Sequence, residues 1–341
     1  MTVPPTFTRR ALLGAGLIGA VGLAAAACST TSPSTSGGGR AAPRDVALQL
    51  SWLHSAQFAG SYIALDRGWW SDAGLNVDLL QGGPNAPVEP PVVSGAALIG
   101  ISAADYTASA VAEGAPFKIL GVAMQKNPFV IASLPDRPVN TPADMEGMKI
   151  GMAVANTPVL ETLCTLNGVD IEAIEIVPTQ YSAQPLLAGE VDCLLCWETD
   201  LPVAMVTQGV DSVTMLMADY GYSVHSQTYI ATEDSLANRR EDLVALMAGE
   251  VRGWEEYRND TAAAAQLTID MFPDAGLDLE TETLKAERQV PLMFSSVTDE
   301  NGFGWWTDES VQQNIETLAL LGQTVDADLW DRSILEQVHG G

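Results

Sequence analysis

The chain is poor in cysteine, in histidine and in positive charge, and each shortage removes a class of function. Four cysteines in 341 residues are too few for a disulfide-built scaffold. Three histidines leave conventional acid–base catalysis little to draw on. No G-x-S-x-G nucleophile elbow and no H-E-x-x-H zinc helix occurs in the sequence. Lys and Arg number 16 against 43 Asp and Glu, a formal net charge of −27. Such a surface repels nucleic acid and anionic headgroups, so neither is expected as a partner. A single apolar run, residues 11–27, approaches bilayer-spanning length, and it lies at the N-terminus.

That run reads as a targeting segment. Thr8-Arg9-Arg10-Ala11-Leu12-Leu13 resembles a twin-arginine signal, which implies export of an already folded protein; the general route stays open. Ala25-Ala26-Ala27 leads directly into Cys28, as in a bacterial lipobox, with Ala25 standing where Leu is usual. Residues 1–27 are therefore expected as a signal peptide, and Cys28 as the lipidated first residue of the mature protein. The alternative is a permanent anchor, but Cys28 sits where apolar sequence turns polar, which favours processing. The expected location is the extracytoplasmic side of the cell membrane, held by the lipid alone. Gly14-Ala15-Gly16-Leu17-Ile18-Gly19 spells a dinucleotide fingerprint, but no strand precedes it and no acidic residue follows at the required distance. Residues 28–44 complete the tether, and the Ser/Thr/Gly/Pro tract 29–44 reads as a flexible coil spanning roughly 20–25 Å.

Without Arg9 and Arg10 the mature charge falls to about −29. From residue 45 the pattern alternates between strand and helix, which predicts an α/β fold with parallel sheets and crossover helices. Strands are predicted at 46–52, 76–80, 98–101, 117–124 and 129–134, with a helix at 59–73 closed by Gly74. After a Pro-rich turn at 135–142 a second set of strands follows at 149–154, 174–177, 192–197 and 212–217. A return strand is predicted at 228–232, after which the sequence is mostly helical. In 240–259, Leu243, Met247, Val251 and Trp254 recur at helical spacing, read as core. The expected lobes are 45–134 with 233–341, and 135–232. Cys193-Leu194-Leu195-Cys196 is a C-x-x-C, yet it falls in a buried strand pattern with no zinc-ligand partners, so inert thiols are expected.

Ligands of open α/β sheets bind beyond the carboxyl ends of strands. That rule selects Ser51, Trp52, Ser102, Asn156, Thr157, Trp197, Glu198 and Tyr222 as candidates. His54 and His225 fall nearby, where hydrogen-bonding roles are expected rather than catalysis.

A resemblance is carried by motifs in order: Leu50-Ser51-Trp52, Gln57-Phe58-Ala59-Gly60, Tyr62-Ile63-Ala64, Asp66-Arg67-Gly68-Trp69-Trp70, Ala73-Gly74-Leu75-Asn76-Val77 and Gly82-Gly83. Val93-Ser94-Gly95, Ala112-Glu113-Gly114-Ala115-Pro116, Asn140-Thr141-Pro142-Ala143-Asp144 and Leu187-Ala188-Gly189-Glu190-Val191-Asp192 extend it. From 45 to about 232 the chain resembles the solute-binding proteins of ABC importers for sulfonates, taurine, nitrate, thiamin pyrimidine precursors and riboflavin. The resemblance implies a two-lobed type II periplasmic-binding-protein fold that closes on a small molecule. It also implies an ABC permease and ATPase as partners. A monomer without cofactor or metal is expected.

Within that family the chain is more similar to the pyrimidine-type binders. Ser51-Trp52 stands where they carry a polar residue beside an aromatic, Trp197-Glu198 where they carry an aromatic and a Glu, and Tyr222 near a third aromatic position. Physically, Trp52 and Trp197 can sandwich a flat ring, each stack contributing roughly 1–3 kcal/mol by analogy with base stacking. Glu198 can accept from an exocyclic amine, with Ser51, Gln57 and Ser102 supplying further contacts. Sulfonate or nitrate would call for Arg, Lys or clustered N–H groups, and none of the candidates is basic. The competing class is an enzyme related to eukaryotic thiamin-pyrimidine synthases, which share this fold and use iron and pyridoxal phosphate. The clustered-cysteine motif associated with them is absent around 220–229.

Overall fold

Val46 and Leu48 are buried on one face of Arg44–Gln49, and this half-buried alternation makes the segment the first strand, β1. The structure, a computed structural model, describes residues 42–84 and 86–340. The expected signal peptide, Cys28 and most of the tether lie outside the described residues. With β1, the described residues form ten strands in two sheets. The first holds β1, β2 (Leu75–Leu80), β3 (Ile99–Ala103), β4 (Phe117–Met124) and β10 (Ser226–Thr232), in the order β2-β1-β3-β10-β4. The second holds β5 (Phe129–Ser133), β6 (Lys149–Met152), β7 (Glu175–Pro178), β8 (Cys193–Trp197) and β9 (Val213–Leu216), in the order β7-β6-β8-β5-β9. The two orders correspond strand for strand once β10 in the first sheet is matched with β5 in the second.

The crossover pattern predicts parallel sheets, but both sheets are mixed. β1 pairs parallel with β2 and β3, and β6 parallel with β7 and β8. β10 and β5 run antiparallel to both of their neighbours. These two strands arrive from the opposite lobe. Each enters its sheet at the cleft edge, Ser226 beside Ala103 and Phe129 beside Trp197, so it must run away from the cleft. The expected boundaries at 134/135 and 232/233 are thereby corrected. The chain crosses between β4 and β5 and again between β9 and β10, placing Phe129–Ser133 in the second sheet and Ser226–Thr232 in the first. Asn127 ties the crossings together, donating Nδ2 to the Val224 carbonyl (2.7 Å) while its Oδ1 accepts from the Phe129 amide (3.0 Å).

The first lobe carries α1 (Ala59–Asp66), α2 (Trp69–Asp72), α3 (Glu89–Val93) and α4 (Ala104–Ala112). The single helix expected at 59–73 is broken at Gly68, which takes a left-handed φ of 71° that a side chain would disfavour. The second lobe carries α5 (Thr157–Asn167), α6 (Gln184–Leu187) and α7 (Leu201–Val206). After β10 come α8 (Glu233–Asn238), α9 (Arg240–Asn259), α10 (Thr261–Met271), α11 (Leu279–Met293), α12 (Ser296–Asn301), α13 (Asp308–Leu320) and α14 (Ser333–Gly340). α9 packs along α1, burying Leu243, Met247, Val251 and Trp254 as the helical spacing predicted.

Cys193 and Cys196 lie on opposite faces of β8 and join different apolar clusters. Three steps along a strand separate their Cα atoms by about 10 Å, beyond the reach of a disulfide. Both thiols are free, and burial pushes Cys193 up to about 12 and Cys196 well above the ordinary range. They are core atoms.

Candidate functional site

Beyond Gln49 the chain turns across the top of the first sheet toward α1. Gly82 makes room for this turn, because a Cβ there would sit 2.3 Å from the Leu50 carbonyl oxygen. Its amide also donates to the Trp52 carbonyl at 3.0 Å. The turn forms one wall of a cavity of about 650 Å³. Trp52, His54 and Gln57 face it from this side, and Phe272 and Asp274 from the segment after α10. Lys285 and Gln289 of α11 close a further side. Thr199 and Asp200, from the loop after β8, bring the second lobe to the same space.

On the first-lobe walls His54, Lys285 and Gln289 are paired. The His54 ring stacks on Phe272 with centroids 3.8 Å apart and planes 10° from parallel, and its Nδ1 lies 3.1 Å from the Tyr62 hydroxyl. Burial lowers the His54 pKa from 6.5, which favours a neutral ring. Glu282, 1 % exposed, accepts from the Ala56 amide (2.6 Å) and from Lys285 Nζ (2.8 Å), so the cavity's lysine is already neutralised. Gln289 Nε2 donates to the Gln57 carbonyl at 3.3 Å.

The second-lobe wall is different, because its polar atoms are unpaired. Thr199 is 2 % exposed, and its Oγ1 has no hydrogen-bond partner. Asp200 immediately precedes α7, where a capping carboxylate would be expected, yet its side chain makes no cap bond. Among the described residues its carboxylate has no hydrogen-bond or ion-pair partner. Burial raises it to about 6; Lys285 opposes the shift and Glu282 reinforces it.

The sequence candidates divide. Trp52 and Gln57 line the cavity. Trp52 also meets Tyr181, which follows β7 of the other lobe, edge-on at 5.8 Å. Trp197 is not among the walls; its ring lies edge-on to Phe129 at 6.1 Å, as does that of buried Tyr222 at 6.3 Å. The ring that Trp52 meets across the lobes is therefore Tyr181. Glu198 accepts from Arg288 of α11 at 2.7 Å, an ion pair that joins the lobes, while its Oε2 is buried without a partner. Ser51 is half-buried beside Trp52. Ser102 donates to Glu89 Oε1 at 2.5 Å, near Asp105, whose carboxyl burial raises to about 6. Asn156 and Thr157 begin α5, where Thr157 Oγ1 donates to the Val154 carbonyl at 2.8 Å. His225 accepts from Trp330 Nε1 at 3.2 Å and is held neutral by burial, down to about 4.

The strand-end rule missed Asp200, Thr199, Phe272 and Lys285. Asp200 before Leu201-Pro202 reads locally as a helix cap, which hides it. Phe272 and Lys285 come from helices far along the chain, and no local pattern ties them to Trp52. Among the described residues no group of His, Cys, Asp and Glu can hold a metal ion, and no helix is long and apolar enough to cross a membrane.

Comparison with known proteins places this geometry in context. A family model described as NMT1/THI5 like matches residues 55–264. The chain is 22% identical over 282 residues to the formylaminopyrimidine-binding protein of Halalkalibacterium halodurans, covering 80% of this chain and 84% of that one. It is 23% identical over 329 residues to the riboflavin-binding protein RibY of Chloroflexus aurantiacus, covering 88% and 91%. Among solved structures, the periplasmic aliphatic sulphonate binding protein SsuA of Escherichia coli superposes with a TM-score of 0.61 at 15% identity, covering 82% and 87%. The likeness in structure identifies the two-lobed periplasmic-binding fold.

Proposed function

The chain belongs to the NMT1/THI5-like family, and on that premise we propose that it is an extracytoplasmic solute-binding lipoprotein. It captures a planar nitrogen heterocycle of the pyrimidine type and delivers it, as a monomer, to an ABC import permease and its ATPase. The observation that carries this reading is the cavity of about 650 Å³ walled by both lobes. A site shared between lobes couples occupancy to closure, because the closed state alone makes both sets of contacts. Its walls suit a flat, uncharged ring: Trp52 and the stacked His54–Phe272 pair offer aromatic surface, and the second lobe offers unpaired polar atoms. Two relatives are named for flat nitrogen heterocycles. A sulfonate would call for a free cation or clustered N–H groups, and both cations nearby are engaged, Lys285 with Glu282 and Arg288 with Glu198. Binding without chemistry fits a chain whose relatives are named as binding proteins.

The test is a ligand panel on the purified full-length chain, read by melting temperature and tryptophan fluorescence. Aminopyrimidines are expected to quench fluorescence and to stabilise the fold by about 2.7 kcal/mol at a hundredfold excess over Kd. A panel in which sulfonates or nitrate alone raise the melt would overturn the pyrimidine assignment. One in which nothing does would overturn the solute-binding reading.

Lipid anchoring at Cys28 is a separate part of the proposal, supported by the lipobox-like run that precedes it. Cys28→Ser is expected to abolish incorporation of labelled palmitate and to move the exported protein from the membrane to the soluble fraction. Retention of the variant's label would show that the anchor lies elsewhere.

A further inference from the structure

We propose that Asp200, with Thr199 beside it, selects the ligand by pairing at two points with an amidine-type edge, a ring nitrogen next to an exocyclic amine. This rests on the reading of the cavity as a pyrimidine site and names the feature of the pyrimidine that is recognised.

The argument begins with satisfied and unsatisfied atoms. Buried polar groups are nearly always paired, and an orphan buried next to a cavity points to what the cavity admits. On the first-lobe walls Glu282, Lys285, Gln289 and His54 all have partners. Thr199 Oγ1, buried and unpartnered, lines the same space, and beside it stands the half-buried Asp200 carboxyl, which makes no hydrogen bond or ion pair among the described residues. Glu198, the carboxylate two residues earlier, is engaged by Arg288 through Oε1, and its unpartnered Oε2 is not on the cavity wall.

The chemistry of Asp200 narrows the ligand class. A fully cationic ligand would have to approach Lys285 of α11, a cation close enough to Asp200 to favour its ionised form. A neutral two-point partner fits better. One carboxyl oxygen accepts from the exocyclic N–H, and the other shares one proton with the ring nitrogen, whichever of the two atoms carries it. Thr199 Oγ1 then accepts from, or donates to, a second polar atom on the ring edge. Desolvation holds the Asp200 carboxyl at about 6, so the shared proton is available near neutral pH. Several other groups face this wall. They are Lys285 and Glu282 on α11 and buried Cys196 on β8, which interact electrostatically with Asp200, together with His54 and Asp274 on the walls of the same cavity.

The proton gives the proposal a pH signature. Above the pKa of both partners the shared proton is lost, and a carboxylate then faces a nitrogen lone pair. Affinity for 4-amino-2-methylpyrimidine, measured by calorimetry on the full chain, is expected to be greatest near pH 6 and at least tenfold weaker at pH 8. Asp200→Asn, whose amide supplies one donor and one acceptor without titrating, is expected to bind within about tenfold of wild type with a flat profile between pH 6 and 8. Asp200→Leu is expected to lose at least tenfold at pH 6 while melting as a cooperative folded protein. 2-Methylpyrimidine, lacking the amine and so one of the two contacts, is expected to distinguish wild type from Asp200→Leu less than the aminopyrimidine does. Wild-type affinity in Asp200→Leu, or a pH profile that persists in Asp200→Asn, would overturn the inference. Failure of every pyrimidine to bind wild type would instead overturn the functional reading beneath it.

Discussion

Gly253→Ala is expected to destabilise the folded chain by about 3 kcal/mol, lowering the melting temperature by roughly 6–12 °C. α9 crosses α1 with almost no gap. A Cβ on Gly253 would stand 2.0 Å from the Gly60 carbonyl oxygen and 2.8 Å from its carbon, all backbone. From the other side, a Cβ on Gly60 would stand 2.2 Å from the Trp254 ring. Neither contact is the far end of a flexible side chain, so the helices must separate. Separation would disturb the buried network in which Trp254 Nε1 donates to the Tyr229 hydroxyl (2.8 Å) and that hydroxyl donates to Glu250 Oε2 (2.7 Å). Intrinsic helix propensity works the other way, favouring Ala over Gly by about 1 kcal/mol. The sign of the result therefore decides between packing and propensity. An unchanged or raised melting temperature by calorimetry would show that the helices have slack the structure does not display.

Trp52→Ala is expected to weaken pyrimidine binding by about 10- to 100-fold, the equivalent of roughly 1–3 kcal/mol of ring stacking. Trp52 is half-buried, lines the cavity and touches Tyr181 of the other lobe, so its loss removes a ligand wall and a closed-state contact together. It supports little of the core, and the unliganded melting temperature is expected to fall by no more than a few degrees. Trp52→Phe keeps a ring and is expected to recover most of the affinity. Titration by fluorescence separates the outcomes. Equal affinity in wild type and Trp52→Ala would move the ligand away from this wall.

Much of the architecture was legible because it follows from short-range patterns. Phe117–Met124 is a short apolar run, buried along nearly its whole length as a central strand is, and Arg240–Asn259 buries the stripe that its 3.6-residue spacing marked. Gly68 interrupts 59–73 through its left-handed φ, a break that a helical hydrophobic pattern alone does not register. The lobe boundaries failed for a different reason. A strand's membership depends on its partner, and nothing within Phe129–Ser133 says whether that partner is β4 or β8. The site divided along the same line. Trp52 follows closely on β1, and the strand-end rule reached it; Gln57 came only with the polar contacts read beside it. Trp197 and Tyr222 obey the same rule yet pack on Phe129.

By itself the sequence determined the acidic composition, the leader-like N-terminus ending at Cys28, the alternation of strand and helix, and the family that the ordered motifs resemble. These depend on residue type and near spacing, which a linear chain displays in full. Tertiary structure alone decided which lobe owns β5 and β10, and which carboxylate is free. Glu198 and Asp200 are equally acidic and two residues apart, but Arg288 on α11 reaches one of them. The other is left against a cavity walled by residues from both lobes. Pairing between distant segments has no local signature, so the polar group left without a partner could be found only after the chain had folded.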